Sequence, residues 1–111
     1  MSKSELEEIY KECTATNYDD NMMREALQSL ETLQHSQLAT QTAYREERMW
    51  LSIICSRLKY ELNTFTIPGT DIVELSEESA DFIIDTARRV DELYGPSALT
   101  LVLFPEFEEQ L

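Results

Sequence analysis

A chain of 111 residues with 42% hydrophobic side chains holds enough apolar material for one folded domain and too much for a disordered one. Its formal charge of −13, from 22 acidic and nine basic residues, argues against direct nucleic-acid binding, because phosphate contacts need clustered cations. No apolar run approaches the length of a membrane span and none precedes the first expected helix as a secretory signal would, so the expected compartment is the reducing cytoplasm.

Neither glycine nor proline occurs between Met1 and Ile67; all five such residues fall at Pro68-Gly69, Gly95-Pro96 and Pro105. These residues punctuate secondary structure, so the first part of the chain reads as helices joined by short polar turns. A first helix over residues 3–13 carries Leu6, Ile9, Tyr10 and Cys13 at helical spacing. The polar stretch 14–20 favours a turn, and Asp19 or Asp20 is placed to cap a second helix with the apolar row Met23, Ala26/Leu27, Leu30, Leu33.

Gln34–Gln37 reads either as a turn or as a continuation of the helical pattern, and a third helix over residues 37–65 carries Tyr44, Leu51, Cys55, Leu58, Leu62 and Phe65. Trp50, Ile53 and Ile54 widen its apolar face almost all round, which places this helix at the centre. Ser76 caps a fourth helix whose expected buried face is Ala80, Ile83, Ile84, Ala87, Val90 and Tyr94. Gly95 stands where a left-handed helix terminator belongs. Residues 97–104 read as a short buried helix, since a lone strand would lack a partner. The fold class is all-α: a single acidic domain over 1–111, built as a small antiparallel bundle of four to five helices with a long central one, residues 105–111 being a mobile acidic tail.

Little catalytic chemistry is visible. Cys13 and Cys55 match no metal or CxxC spacing and read as buried free thiols. The single histidine, His35, lacks the second nitrogen ligand or nucleophile that would make it more than a surface group. No phosphate-binding loop can be built from two distant glycines, and no cofactor is expected. One enzymatic alternative stands: Glu78-Ser-Ala-Asp81 resembles half of the magnesium-binding Glu-x-x-Glu and Glu-x-x-Asp pair of all-helical nucleoside triphosphate pyrophosphohydrolases, and Glu5-Leu-Glu-Glu8 resembles the other half. The two are separated by most of the chain rather than by one helical hairpin.

The acid is unevenly distributed. Residues 69–111 hold eleven acidic and two basic side chains, whereas residues 36–68 hold three acidic and four basic. Segregated charge adds self-repulsion and steers the chain toward a basic partner. Glu77, Asp81 and Asp85 follow one another at four-residue intervals, roughly 6 Å apart along a helix axis, comparable to neighbouring phosphates on a nucleic-acid strand. Glu74, Glu78, Asp91 and Glu92 extend that surface, and Asp85 is expected to pair with Arg88 or Arg89, Arg45 or Arg48 with Glu46 or Glu47.

The tail from Phe104 to Leu111 interleaves aromatics with carboxylates, which suits docking into a basic-rimmed groove. The expected function is therefore non-enzymatic: an inhibitor, adaptor or chaperone-like regulator of viral or mobile-element type that binds a basic protein surface, such as that of a nucleic-acid-binding protein. Glu77, Asp81, Asp85, Glu92, Phe107 and Glu108 are the expected contacts. Surplus apolar groups at Met22-Met23 or along 38–44 point to a homo-oligomer.

Overall fold

A computed structural model describes residues 3–36, 40–64, 69 and 75–105, and these residues are all-helical, without a strand. The helices are α1 (Lys3–Glu12), α2 (Asp20–Ser36), α3 (Gln41–Thr64), α4 (Glu77–Tyr94) and α5 (Thr100–Leu103). Each longer helix starts where a short polar side chain satisfies a free backbone donor. Asp19 Oδ1 accepts from the Met22 N–H at 2.8 Å, and Ser76 Oγ from the Ser79 N–H at 3.1 Å. At α3 the same device corrects the expected start at Gln37: Thr40 Oγ1 accepts from the Ala43 N–H at 3.1 Å, so the helix begins at Gln41. Phe65, expected on its apolar row, lies outside the described residues.

The helical stripes meet in one core. It joins Leu6 and Ile9 of α1, Met23, Ala26, Leu27 and Leu30 of α2, and Leu51, Ile54, Cys55, Leu58 and Leu62 of α3. Ile83, Ala87 and Val90 of α4 complete it with Ala98, Leu99 and Leu103 around α5. Burying each leucine or isoleucine side chain contributes about 1.5–3 kcal/mol, so this stripe outweighs intrinsic helix propensity in holding the helices. α3 packs against α1, α2 and α4, and no residue from Trp50 to Leu62 is exposed.

Two residues expected inside are not. Tyr44 is 43% exposed because its hydroxyl donates to Glu5 Oε2 at 2.9 Å and accepts from Arg48, which holds the ring at the surface. Ile84 is 44% exposed, standing at the edge of the α4 stripe rather than on it. Conversely Met23, expected as surplus for a second copy, is 2% exposed and belongs to the core. Leu38 lies outside the described residues.

Polar side chains of α3 tie the other elements to it. Lys59 Nζ donates to the carbonyls of Tyr10 at 2.9 Å, Lys11 at 3.3 Å and Cys13 at 3.1 Å, placing a cation on the negative end of α1. Arg57 donates to the Tyr18 carbonyl, to Asp20 Oδ1 at 3.2 Å and to Glu61 Oε1 at 3.0 Å, and its guanidinium lies 4.5 Å over the Phe82 ring of α4. Nearer the start of α3, Glu47 Oε2 accepts from Gln34 Nε2 of α2 and from the Tyr94 hydroxyl of α4, both at 2.9 Å.

The connection from α4 to α5 is a tight turn. The Gly95 N–H donates to the Asp91 carbonyl at 2.8 Å, and the Ala98 N–H to the Gly95 carbonyl at 3.1 Å. Gly95 does terminate α4 with positive φ, but at φ 122° and ψ 162° rather than in the left-handed helical region expected. That conformation is open essentially to glycine alone. The left-handed φ falls instead on Ser97, at 59°, after Pro96, the pattern of a turn with proline second and positive φ third.

Candidate functional site

The outward face of α4 is set by its inward one. With Ile83, Thr86, Ala87 and Val90 buried, helical geometry turns Glu77, Glu78, Asp81, Asp85 and Glu92 to water, and all five are exposed. Glu77 and Glu78 also occupy the first turn, where carboxylates suit the positive end of the helix. None of the five side chains makes a hydrogen bond or ion pair with another described residue.

Several acids elsewhere hold elements together: Glu31 meets Arg89 at 3.0 Å across α2 and α4, Glu47 is engaged by Gln34 and Tyr94, and Asp20 by Arg57. The sequence places four of the expected contact residues, Glu77, Asp81, Asp85 and Glu92, on this one face; Phe107, Glu108 and Glu74 lie outside the described residues.

The pairing expected along the chain is redrawn in space. Asp85 does not pair with Arg89, which reaches Glu31 instead, and Arg88 has no ion-pair partner among the described residues. Arg88 enters the acidic row between Asp85 and Glu92, three residues from the first and four from the second, so the uninterrupted run is Glu77-Asp81-Asp85. Arg48 approaches Glu12 of α1 at 3.7 Å, while Glu47 is held by α2 and α4. Pairing by sequence neighbourhood failed for Arg89, Arg48 and Glu47 because helix packing offered each a better-placed partner on another element, while Asp85 and Arg88 stay in water.

Asp91 was expected on the acidic surface and is turned inward. Its Oδ1 accepts from the Leu99 N–H at 2.6 Å and the Thr100 N–H at 3.3 Å, and its Oδ2 from Thr100 Oγ1 at 2.6 Å. Beside it a cleft of about 440 Å³ opens between α4 and α5, walled by Leu75, Ala80, Ile83, Ile84, Ala87 and Phe104. Ile84 therefore exposes an apolar edge one turn from Asp81 and Arg88. The spacing of Ala80, Ile84 and Ala87 carried that signal, but their rank as core residues masked it.

Three groups bear on chemistry. Burial raises the Tyr10 phenol to about 12, with the nearby thiols of Cys13 and Cys55 adding to the effect. The same cause raises the Cys55 thiol to about 12, and burial also lifts the Tyr94 phenol above its ordinary range. All three are therefore neutral at physiological pH. His35 is exposed, with Nδ1 2.6 Å from the Glu31 carbonyl oxygen, so that nitrogen carries the proton.

Among the described residues no group of three or more histidine, cysteine or acidic side chains is placed to hold a metal ion. Glu78 and Asp81 stand exposed on α4, while Glu5 of α1 accepts from Tyr44. None of the described helices is long and apolar enough to cross a membrane. Compared with known proteins, the chain matches no family model, no curated sequence and no solved structure.

Proposed function

We propose that the protein is a non-enzymatic inhibitor, adaptor or chaperone-like regulator that binds a basic protein surface through the exposed face of α4. The observation that carries this reading is the contrast among acids. Glu77, Glu78, Asp81, Asp85 and Glu92 gather on one helix face, solvated and without partners among the described residues, whereas Glu31, Glu47 and Asp91 serve contacts between elements and the likewise exposed Glu25 and Glu46 stand singly on α2 and α3. Unpaired like charges on one face cost some stability through self-repulsion and add electrostatic steering toward a cationic partner.

The preferred partner is the groove of a nucleic-acid-binding protein in the cytoplasm. The i,i+4 row Glu77-Asp81-Asp85 repeats at roughly 6 Å, near the phosphate interval, and Arg88 limits the resemblance to about two helical turns. The scaffold we infer is an antiparallel one. Glu47 near the start of α3 meets the ends of α2 and α4, whereas Arg57 further along meets the first turn of α2 through Asp20 and the second turn of α4 through Phe82. Self-association through exposed Tyr44 and Met49 of α3 is a further part of the proposal, and a strict monomer in light scattering at high concentration removes it.

The deciding experiment compares affinity purification from the native host with wild-type protein and with a variant carrying Glu77→Gln, Asp81→Asn, Asp85→Asn and Glu92→Gln. Wild type should enrich basic nucleic-acid-binding proteins in a salt-sensitive way and the variant should not. Identical captured proteins with both would defeat the reading. A marked rise in melting temperature with magnesium or manganese would instead favour the hydrolase alternative through Glu78 and Asp81.

A further inference from the structure

We propose that Cys13 and Cys55 form an oxidation site, where a peroxide-class oxidant entering beside Cys13 joins the two thiols as a disulfide that fastens the end of α1 to α3. Several contacts bring them together. Cys13 packs against the core cluster that contains Cys55. Its carbonyl accepts from Lys59 Nζ at 3.1 Å, one turn after Cys55, and it shares a groove with Ser52, nearly one turn before Cys55. Three residues beyond Cys13, the Thr16 N–H donates to the carbonyl of Ser56, the neighbour of Cys55, at 3.1 Å. Cys13 is thus bracketed along α3 by Ser52, Ser56 and Lys59, with Cys55 at the same level. The pair is also close enough for the charge of Cys13 to raise the proton affinity of Cys55, and Tyr10 senses both.

The two sulfurs differ in access, which sets the order of events. Cys13 is half-buried, its Sγ–H donating to the Tyr10 carbonyl at 3.1 Å, and lines an open groove of about 390 Å³ with Arg45, Ser52 and the paired Glu12 and Arg48. Cys55 is sealed in the core. The oxidant therefore meets Cys13 first. Its thiolate attacks one peroxide oxygen, the O–O bond breaks, and the hydroxide that leaves takes up the proton given up by the Cys13 thiol to become water. Cys13 is left as a sulfenic acid.

The Cys55 sulfur then attacks that of Cys13, the S–O bond breaks, and the hydroxyl departs as water with the Cys55 proton. Two thiols lose two protons and two electrons, and one peroxide becomes two waters. Bringing the Cys13 sulfur onto Cys55 breaks its weak hydrogen bond to the Tyr10 carbonyl.

The full-length reduced protein, treated with hydrogen peroxide, should lose the mass of two hydrogens and stay monomeric on a non-reducing gel. It should keep no thiol for a maleimide after denaturation, and peptide mapping should join the segments holding Cys13 and Cys55. Its melting temperature should rise by roughly 5 °C or more, because the bond closes a long loop. Cys55→Ala should leave a Cys13 sulfenic acid that dimedone traps, and Cys13→Ser should leave Cys55 reduced. Two alkylatable thiols after treatment, over-oxidised Cys13 beside a free Cys55, or disulfides only between molecules would each overturn the proposal. Mass and mapping of the wild type decide even where a variant folds poorly.

Discussion

Asp91 and Thr100 are joined by a hydroxyl-to-carboxylate hydrogen bond of 2.6 Å, and the same carboxylate accepts the Leu99 and Thr100 backbone N–H groups. A four-residue helix cannot pay its own nucleation cost, so α5 depends on this acceptor and on burial of Leu99 and Leu103. Asp91→Ala leaves a buried donor beside the core without a partner and should destabilise the fold by about 2–3 kcal/mol in urea denaturation. Asp91→Asn keeps one carbonyl acceptor and should fall between. A loss below about 0.5 kcal/mol for the alanine variant would mean the anchor is idle.

Arg57 supports a larger effect. Its side chain is only 11% exposed and serves the α1–α2 connection, α2, α3 and the Phe82 ring at once. Arg57→Met leaves the Tyr18 carbonyl and the well-covered Glu61 carboxylate unmatched, a loss of about 3–5 kcal/mol. Arg57→Lys should recover little of it, because a single ammonium cannot reproduce the forked geometry. Equal stability of the lysine variant and wild type would contradict this account.

Alkali should unfold the protein earlier than its exposed ionisable groups would suggest. The folded Cys55 thiol holds its proton to about pH 12, whereas an unfolded cysteine releases it near 9.0. The folded state thus binds more protons over that interval. Stability is full below pH 9 and falls as pH rises toward 12, by about 1.4 kcal/mol per pH unit from this group. Tyr10, held to about 12, and Tyr94 add losses of the same sign above pH 10. Denaturation curves at pH 8 and pH 10.5 should show the decline, and Cys55→Ala should flatten its first part; a flat wild-type profile would refute the assignment.

Neutralising the α4 face should leave the scaffold intact. Glu77, Asp81, Asp85 and Glu92 are exposed and make no contact that folding needs, so the fourfold amide variant should stay within about 0.5 kcal/mol of wild type. At low salt it should be the more stable of the two, since like charges have been removed. A loss of several kcal/mol would show these carboxylates to be structural.

Helix existence was legible because the apolar residues of α2 and α4 recur at three and four, and because Asp19, Ser76 and Gly95 mark boundaries by their chemistry. The covered stretch of α3 from Trp50 to Leu62 followed from its nearly continuous apolar character. Thr40 was missed as a cap because residues 37–39 continue a plausible helical pattern. Polar partnerships were the least legible. Nothing local distinguishes Asp91 from Asp85, yet one staples α5 and the other faces water, and only the turn of Gly95-Pro96-Ser97 decides which. The exposed row on α4 was readable for the opposite reason: once the buried stripe is known, its outward complement follows from 3.6 residues per turn.

The cross-links radiating from α3 have a consequence for how the protein comes apart. Lys59, Arg57 and the Thr16–Ser56 bond all bind the first three helices to one another, and α2 against α3 is the broadest pairing. The last two helices attach through fewer such links, chiefly Arg89, Tyr94 and Phe82. Amide protons along α2 and α3 should therefore exchange with deuterium only through global opening, while those of α4 and α5 are released by a cheaper, partial excursion. The carboxylate-bearing face would then sit on the segment of the chain most able to adjust its seat when something binds it.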